Sequence, residues 1–486
     1  MSQSLKQQTI KGAGWSFVDN LFCQGITFLV GLVLARLLTP EEYGLIGIIT
    51  IFIAIFNSIV DSGFSNALIR KNNACDIDYN TAFITNLVLS VLLFIIMYLF
   101  APTMAVFFKQ PQLEPLSKVM ASIVIINAFA IIQRTILVKK IDFKTQTKVS
   151  LVSSIVSGGI GITMAFEGLG VWALVGQQIS RQFLNSSFLW IYAKWYPRLQ
   201  FSIKSFKELF GFGWKLLVSG LIDTIWREIY QVIIGKYYSA ATLGQYTRAH
   251  QFASIFSTNL NSVVQRVSFP VLSSIQDDKI RLKSAYKRVI KTTMLITFVL
   301  MFGLAAVSQS MILVLVGEQW LPCVPFLQII CLNMMLYPLH ALNLNMLQIQ
   351  GRSDLFLKLE IIKKIVAIIP LLMGIFINIY WMLWGSVFAG IFAYYLNSYY
   401  SGKFLNYSMW SQVKDIFPSF GIASCMAIIV YLVSLLPLSP FFMLSIQVII
   451  GICITITLCE WINTSEYKEL KKITLSVLQK IKQNNK

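Results

Sequence analysis

AFITNLVLSVLLFIIMYLFA, residues 82–101, carries no charged side chain. A helix of twenty residues rises roughly 30 Å, the thickness of a bilayer's hydrocarbon core. Runs of this kind recur along the whole chain. Hydrophobic residues make up 56% of the 486, and mean hydropathy is +0.69. That is far beyond a soluble globular average. The expected fold class is therefore an all-α polytopic membrane protein.

About fourteen spans can be drawn from apolar length. They cover 12–36, 43–69, 79–101, 114–138, 146–166, 169–193, 208–235, 241–270, 288–308, 322–350, 354–377, 379–402, 412–437 and 440–460. The seventh, eighth and tenth are the least apolar. MILVLVG (311–317) is too short to cross and belongs to a loop or to the end of the ninth span. The longest connection between spans is 271–287, so no soluble catalytic domain fits on either side.

The formal charge of +19 could suggest a nucleic-acid partner, but its distribution argues against one. Basic residues fall almost entirely on alternate connections: Arg70 and Lys71, then Lys139 to Lys148, Lys194 to Lys207, Lys279 to Lys291, and the C-terminal lysines. The opposite side holds only Arg36, Lys109, Lys118 and Lys236. This is the positive-inside pattern, and it places both termini in the cytoplasm. The N-terminus shows no cleavable signal pattern. The seven cysteines lack paired or metal-type spacing, and two histidines make a histidine-rich metal site improbable.

A weak internal repeat is visible. GAGW (12–15) is answered by GFGW (211–214), and LLTPEEYG (37–44) by YYSAATLG (237–244). Each pair begins a hydrophobic helix running in the same direction. Chance similarity of glycine-containing helix starts is the alternative. If the repeat is genuine, residues 1–200 and 201–403 are two parallel six-helix lobes around a central cavity. Residues 404–486 then add two further spans and a basic cytoplasmic tail. Transporters of such design hold their substrate where the repeats meet.

Ionisable residues at membrane depth cost roughly 2.5–3.5 kcal/mol each and mark wet or protein-lined interiors. Here they include Asp19, Asp61, Arg134, Arg181, Lys215, Asp223, Arg227, Arg248, Arg266 and Glu360. Arg248 and Arg266 bracket one helical stripe that also contains Asn259, and they lie roughly 27 Å apart. Lys215, Asp223 and Arg227 share a face of the seventh span, whereas Ile233 and Phe256 should face elsewhere. Arg181 is mid-span, flanked four residues either way by Gln177 and Asn185. Blander readings stand beside the cavity reading. Arg134, Arg266, Lys363 and Lys364 could snorkel to the cytoplasmic face; Asp223 with Arg227, and Glu360 with Lys364, could neutralise each other. Trp15, Trp214, Trp226, Tyr230 and Tyr246 could stack on sugars or form an interfacial belt. A cationic cavity asks for an anionic cargo, and the arginine fork suits phosphate.

Several blocks carry a family resemblance: LLTPEEYGLIGI, DSGFSNALIRK, GLGVWALVGQQISRQ, FGFGWKLLVSGLID, IIGKYYSAATLGQYTRAHQF, RVSFPVLSSIQDD and GRSDLFLKLEIIKK. In number and order they resemble those of Wzx-type polysaccharide flippases. The likeness is greatest to the WzxC-like branch of the multidrug/oligosaccharidyl-lipid/polysaccharide exporter superfamily, from about residue 5 to 400. The resemblance implies a non-enzymatic flippase of the bacterial inner membrane. Its cargo would be a polyprenyl-pyrophosphate-linked oligosaccharide, moved from the cytoplasmic to the outer leaflet by alternating access. Arg181, Arg227, Arg248 and Arg266, with Lys215, Arg134 and Asn259, are the cargo candidates by depth and facing. Asp19, Asp61, Asp223 and Glu360 could couple movement to a proton or sodium gradient. No cofactor is expected, and polysaccharide polymerase machinery is a conceivable partner. A multidrug or cation exporter of the same superfamily is the first alternative; a membrane polymerase or ligase is the second.

Overall fold

The computed structural model describes residues 22–61, 63–472 and 475. Asp19, Trp15 and the GAGW motif lie outside them. Every described element is helical, and no strand occurs among the described residues. In chain order the helices are α1 (Phe22–Leu37), α2 (Pro40–Asp61), α3 (Phe64–Arg70), α4 (Asp76–Phe108), α5 (Leu113–Met120), α6 (Ser122–Lys139), α7 (Phe143–Phe166), α8 (Val171–Ala193) and α9 (Ile203–Tyr237). They continue with α10 (Ala240–Ser273), α11 (Lys279–Leu315), α12 (Cys323–Met334), α13 (Tyr337–Ile349), α14 (Ser353–Val366), α15 (Ile368–Phe376), α16 (Ile379–Leu405), α17 (Met409–Val433) and α18 (Pro440–Ile462). A last helical segment, α19, covers 465–472.

Among the described residues, ten candidate spans are long and apolar enough to cross a membrane, and the protein is a multi-pass membrane protein. Those ten do not include α8 and α10, which are long enough but too polar. Four predicted spans are broken rather than continuous. The 43–69 run breaks at Gly63, whose φ of 70° needs a residue without Cβ strain. The 322–350 and 354–377 runs break just ahead of Pro338 and Pro370, which lack the N–H that continuous helix requires. The 114–138 run divides at Ala121, between α5 and α6.

The expected long loop at 271–287 is a correction. α10 persists to Ser273 and α11 begins at Lys279, so only a short turn remains. Asp278 makes this possible, its carboxylate accepting from the Ile280 and Arg281 amides at 3.1 and 3.0 Å. At the other end α11 reaches Leu315, absorbing most of MILVLVG, with Gly317 just beyond.

The chain forms two compact units, 1–244 and 245–486. In lipid the hydrophobic effect does not drive helices together, so packing and hydrogen bonds must. The first unit shows this in α7, which buries Ser153, Ser154, Ser157, Gly158 and Gly161. A Cβ on Gly161 would come within 2.8 Å of the Gln177 side chain on α8, so small residues let the two backbones approach. The core of this unit gathers Phe64, Leu68, Phe83, Val124, Ile132 and Leu209. Beside it, Lys71 joins Asp78 of α4 (3.0 Å) and Glu208 of α9 (2.9 Å).

The second unit is centred on Tyr286, Ile290, Phe298, Leu342, Met346 and Ala423. Polar side chains cross this core. Asn343 Nδ2 donates to Gln412 Oε1 at 3.2 Å, the Tyr394 hydroxyl donates to the same oxygen at 3.2 Å, and Ser401 donates to Asn343 Oδ1. At one end, α11 is tied to α19 by Arg288–Glu469 (2.5 Å) and Lys291–Glu466 (2.5 Å).

Candidate functional site

Helices α8, α9 and α10 hold most of the charges singled out by depth. α8 is polar because Gln177, Gln178, Arg181, Gln182 and Asn185 interrupt its apolar residues. Arg181 sits halfway along it, half-buried, with no hydrogen-bond or ion-pair partner among the described residues. Next to it, Gln182 Nε2 donates to Asn127 Oδ1 of α6 at 2.8 Å, and Asn127 Nδ2 donates to Asn57 Oδ1 of α2 at 3.0 Å. This amide chain ties three helices in the first unit. Sequence reasoning missed it, although lone amides inside IFIAIFNSIV and SIVIINAFAII were a usable signal.

Asp61 and Arg134 form a second cluster in that unit. The Asp61 carboxylate accepts from Ser65, whose hydroxyl accepts from Thr135 at 3.1 Å. The carboxylate also acts electrostatically on Arg134. Asp61 therefore has a nearby cation, which disfavours a second cation such as sodium there.

On α9, Lys215, Asp223 and Arg227 are all exposed, as a shared open face requires, while Ile233 is buried. Arg227 Nη2 pairs with Asp223 Oδ2 at 2.6 Å. Near the start of α9 outside its apolar stretch, Glu208 raises the Lys71 ammonium above its usual range by accepting its hydrogen bond.

In the second unit, the α10 stripe does not occupy one environment. Arg266 is exposed, but Arg248 is 3% exposed. The Arg248 guanidinium lies 5.1 Å from the centroid of the fully buried Trp320 ring, and its Nη1 donates to Gln251 Oε1 at 3.0 Å. Asn259 turns its amide back onto its own helix, donating to the Ile255 carbonyl at 2.7 Å. Phe256 lines an apolar cleft with Leu300, Leu304, Met426 and Val448. Glu360 pairs with Lys363, one turn along α14, rather than with Lys364 as the four-residue spacing suggested.

Among the described residues no group of histidine, cysteine and carboxylate side chains could hold a metal ion. What the arrangement offers is donors and positive charge. Arg134, Arg181 and Lys215 lie in the first unit and Arg266 in the second, each on a membrane-depth helix.

Apolar helices in this number, with cations carried at membrane depth on α8, α9 and α10, define the class: a multi-pass membrane protein with charge inside its spans. Comparison with known proteins then supplies the family. A family model described as "Polysaccharide biosynthesis protein" matches residues 33–325, more than half of the chain, and the protein belongs to that family. The chain is 27% identical over 354 residues to the teichuronic acid biosynthesis protein TuaB of Bacillus subtilis, covering 72% of this chain and 73% of that one. It is 24% identical over 376 residues to the lipopolysaccharide biosynthesis protein WzxC of Escherichia coli K12, covering 76% of each. Among solved structures it is similar to the lipid II flippase MurJ in an inward closed conformation. That match has a TM-score of 0.74 at 16% identity, over 95% of this chain and 99% of that one. An inward-facing multidrug MATE transporter matches with a TM-score of 0.60 at 15% identity, over 80% and 99%. At such identities these structures speak for the fold alone.

Proposed function

We infer that the protein is a flippase for lipid-linked oligosaccharide in polysaccharide biosynthesis, carrying its cargo across the membrane without covalent chemistry. The family and the MurJ-like fold support the cargo class. The observation that carries the reading further is Arg181. A half-buried guanidinium with no counter-ion among the described residues, halfway along a polar helix, is costly unless an anion visits it. Pyrophosphate on a polyprenyl carrier is that anion, and the arginine fork matches its oxygens.

The cargo moves from the cytoplasmic to the outer leaflet of a bacterial inner membrane, and both termini are cytoplasmic by the charge bias. Residues 1–200 and 201–403 act as two six-helix lobes, with 404–486 appended. Lys215, Arg134, Arg227 and Arg266 line the cargo's route with Arg181, and Arg248 and Asn259 shape the α10 side of it. A proton or sodium gradient could drive the cycle. Glue-like amides at Asn57, Asn127 and Gln182 keep α8 oriented. A cation-exporting transporter would meet an unneutralised arginine along its path, which repels its cargo.

The test is leaflet reversal in proteoliposomes. A polyprenyl-pyrophosphate oligosaccharide placed in one leaflet should reach the other only when the protein is present, with and without ion gradients. Equal reversal in protein-free vesicles, or movement of a cationic dye but no glycolipid, would overturn the reading.

A further inference from the structure

The first helices of the two similar motifs meet in a reciprocal way. α1 ends at Leu37 and α9 at Tyr237; α2 starts at Pro40 and α10 at Ala240. Between them sits a hydroxyl cap at the same offset. Thr39 engages Glu42, its Oγ1 accepting from the Glu42 amide at 3.4 Å and its own amide donating to Glu42 Oε2 at 2.7 Å. Ser239 Oγ accepts from the Thr242 amide at 3.1 Å. The glycine that follows each cap, Gly44 or Gly244, lies against the other helix. A Cβ on Gly44 would stand 1.8 Å from the Ala240 carbonyl oxygen, and one on Gly244 would stand 1.8 Å from the Pro40 carbonyl oxygen.

Residue 44 thus meets 240 while residue 244 meets 40. This is the pattern of an isologous contact, the same surface used twice about a local two-fold. Both contacts are with backbone, which cannot swing aside as a flexible side chain could. At these glycines the two first turns approach so closely that neither position has room for a Cβ. Charge bias puts both corners on the non-cytoplasmic side, with Arg36 and Lys236 the basic residues there.

We propose that this Gly44–Gly244 crossing is the outer seal of the transport path, closed in the structure described and parted when cargo leaves for the outer leaflet. The proposal rests on the flippase reading above and names the contact that must break in its cycle. A permanently packed helix crossing would look the same at rest but would never part, and this difference can be measured.

The experiment uses the full chain with exposed Cys75, Cys425 and Cys453 replaced by serine, and a reporter cysteine at Ser219, which is exposed on α9. Gly44→Val or Gly244→Val wedges the crossing. A closed protein keeps its minor open state at ~0.1–10%, so the wedge should raise labelling by an impermeant thiol reagent from outside at least about tenfold. Gly159→Ala, whose added methyl would meet nothing within 4 Å, is the matched control and should change nothing.

The second arm leaves both glycines intact. Glu41→Cys with Ala241→Cys, one residue along each helix from the crossing, is joined by a short cleavable bis-thiol reagent. Transport should stop on joining and return on cleavage. Continued transport in the joined protein means the crossing is a fixed hinge and overturns the proposal, even if the wedge variants fail to fold. Unchanged labelling in well-folded wedge variants overturns it equally. If the unmodified protein moves no lipid-linked oligosaccharide, the cargo reading fails while the labelling still reports on the seal.

Discussion

Substituting Arg181 and Arg248 separately by glutamine should produce opposite defects. Arg248 is buried beneath Trp320 and bonded to Gln251. A hydrogen bond to a charged group contributes ~1.5–3 kcal/mol, and a desolvated cation–π contact about 2 kcal/mol. The two share one guanidinium and do not add, so Arg248→Gln should cost roughly 2–4 kcal/mol of stability. Against a total margin of about 5–15 kcal/mol, abundance and the melting midpoint in detergent should both fall visibly. Arg181 has no such partner to lose, so Arg181→Gln should shift stability by no more than about 0.5 kcal/mol. Its loss appears in cargo binding. Truncating one side of a desolvated charge contact costs ~2–5 kcal/mol, a roughly thirty- to several-thousand-fold weaker hold. Arg181→Lys keeps the charge without the planar fork and should recover only part of the rate. The assay is glycolipid reversal per molecule of inserted protein, read beside the melting midpoint. Wild-type reversal by Arg181→Gln at normal abundance would refute the pyrophosphate role. An unchanged midpoint for Arg248→Gln would refute the burial argument.

Two further outcomes follow from polar contacts. Asn343→Ala removes a buried amide that bonds both Gln412 and Ser401, stranding polar atoms in the core of the second unit; a loss of about 1–3 kcal/mol should lower the melting midpoint, and no change would show those bonds to be dispensable. Glu208→Gln breaks the exposed half of the Lys71 pairing and should cost less than about 1 kcal/mol by chemical denaturation. Because that pairing raises the Lys71 pKa above 10.5, its contribution is complete at neutral pH and fades only as pH climbs through the raised value. A difference between wild type and Glu208→Gln that vanished between pH 7 and 9 would contradict the sign.

Helix positions were legible because lipid imposes a length and a composition that twenty residues display openly. Among the described residues the predicted spans fall on helices, ten of them long and apolar enough to cross a membrane, yet the breaks inside four of the predicted spans were not foreseen. Hydropathy averages over a window and is blind to whether a proline nitrogen or a positive φ interrupts the ladder, as at Pro338, Pro370 and Gly63. Depth and helical facing also placed Arg181 and Arg248 in one class. Their burial differs because Trp320 comes from the short turn after α11, well beyond the end of α10 in the chain, anchored where Gln245 Nε2 donates to the Gln319 carbonyl at 2.8 Å. No periodicity within α10 could reveal a lid supplied by another part of the chain. The same holds for the amide chain of Asn57, Asn127 and Gln182, whose members are separated by 70 and 55 positions.

The motif similarity at offset 200 is faint for a physical reason that the corner itself explains. Lipid-facing and packing positions tolerate any apolar residue of about the right size, so two halves of common origin would lose their likeness there first. A helix start is less forgiving. It needs a hydroxyl or carboxylate acceptor before the first turn, met by Thr39 and Ser239, and a position five residues on where another backbone passes needs glycine. Those are the places where LLTPEEYG and YYSAATLG still agree in kind. A Cβ at 1.8 Å from a carbonyl oxygen cannot be relieved by a rotamer change, so the demand on Gly44 and Gly244 is mutual: replacing either displaces both helices. What survives in the sequence is thus the part of the geometry with no alternative solution, and it lies at the crossing proposed to open and close.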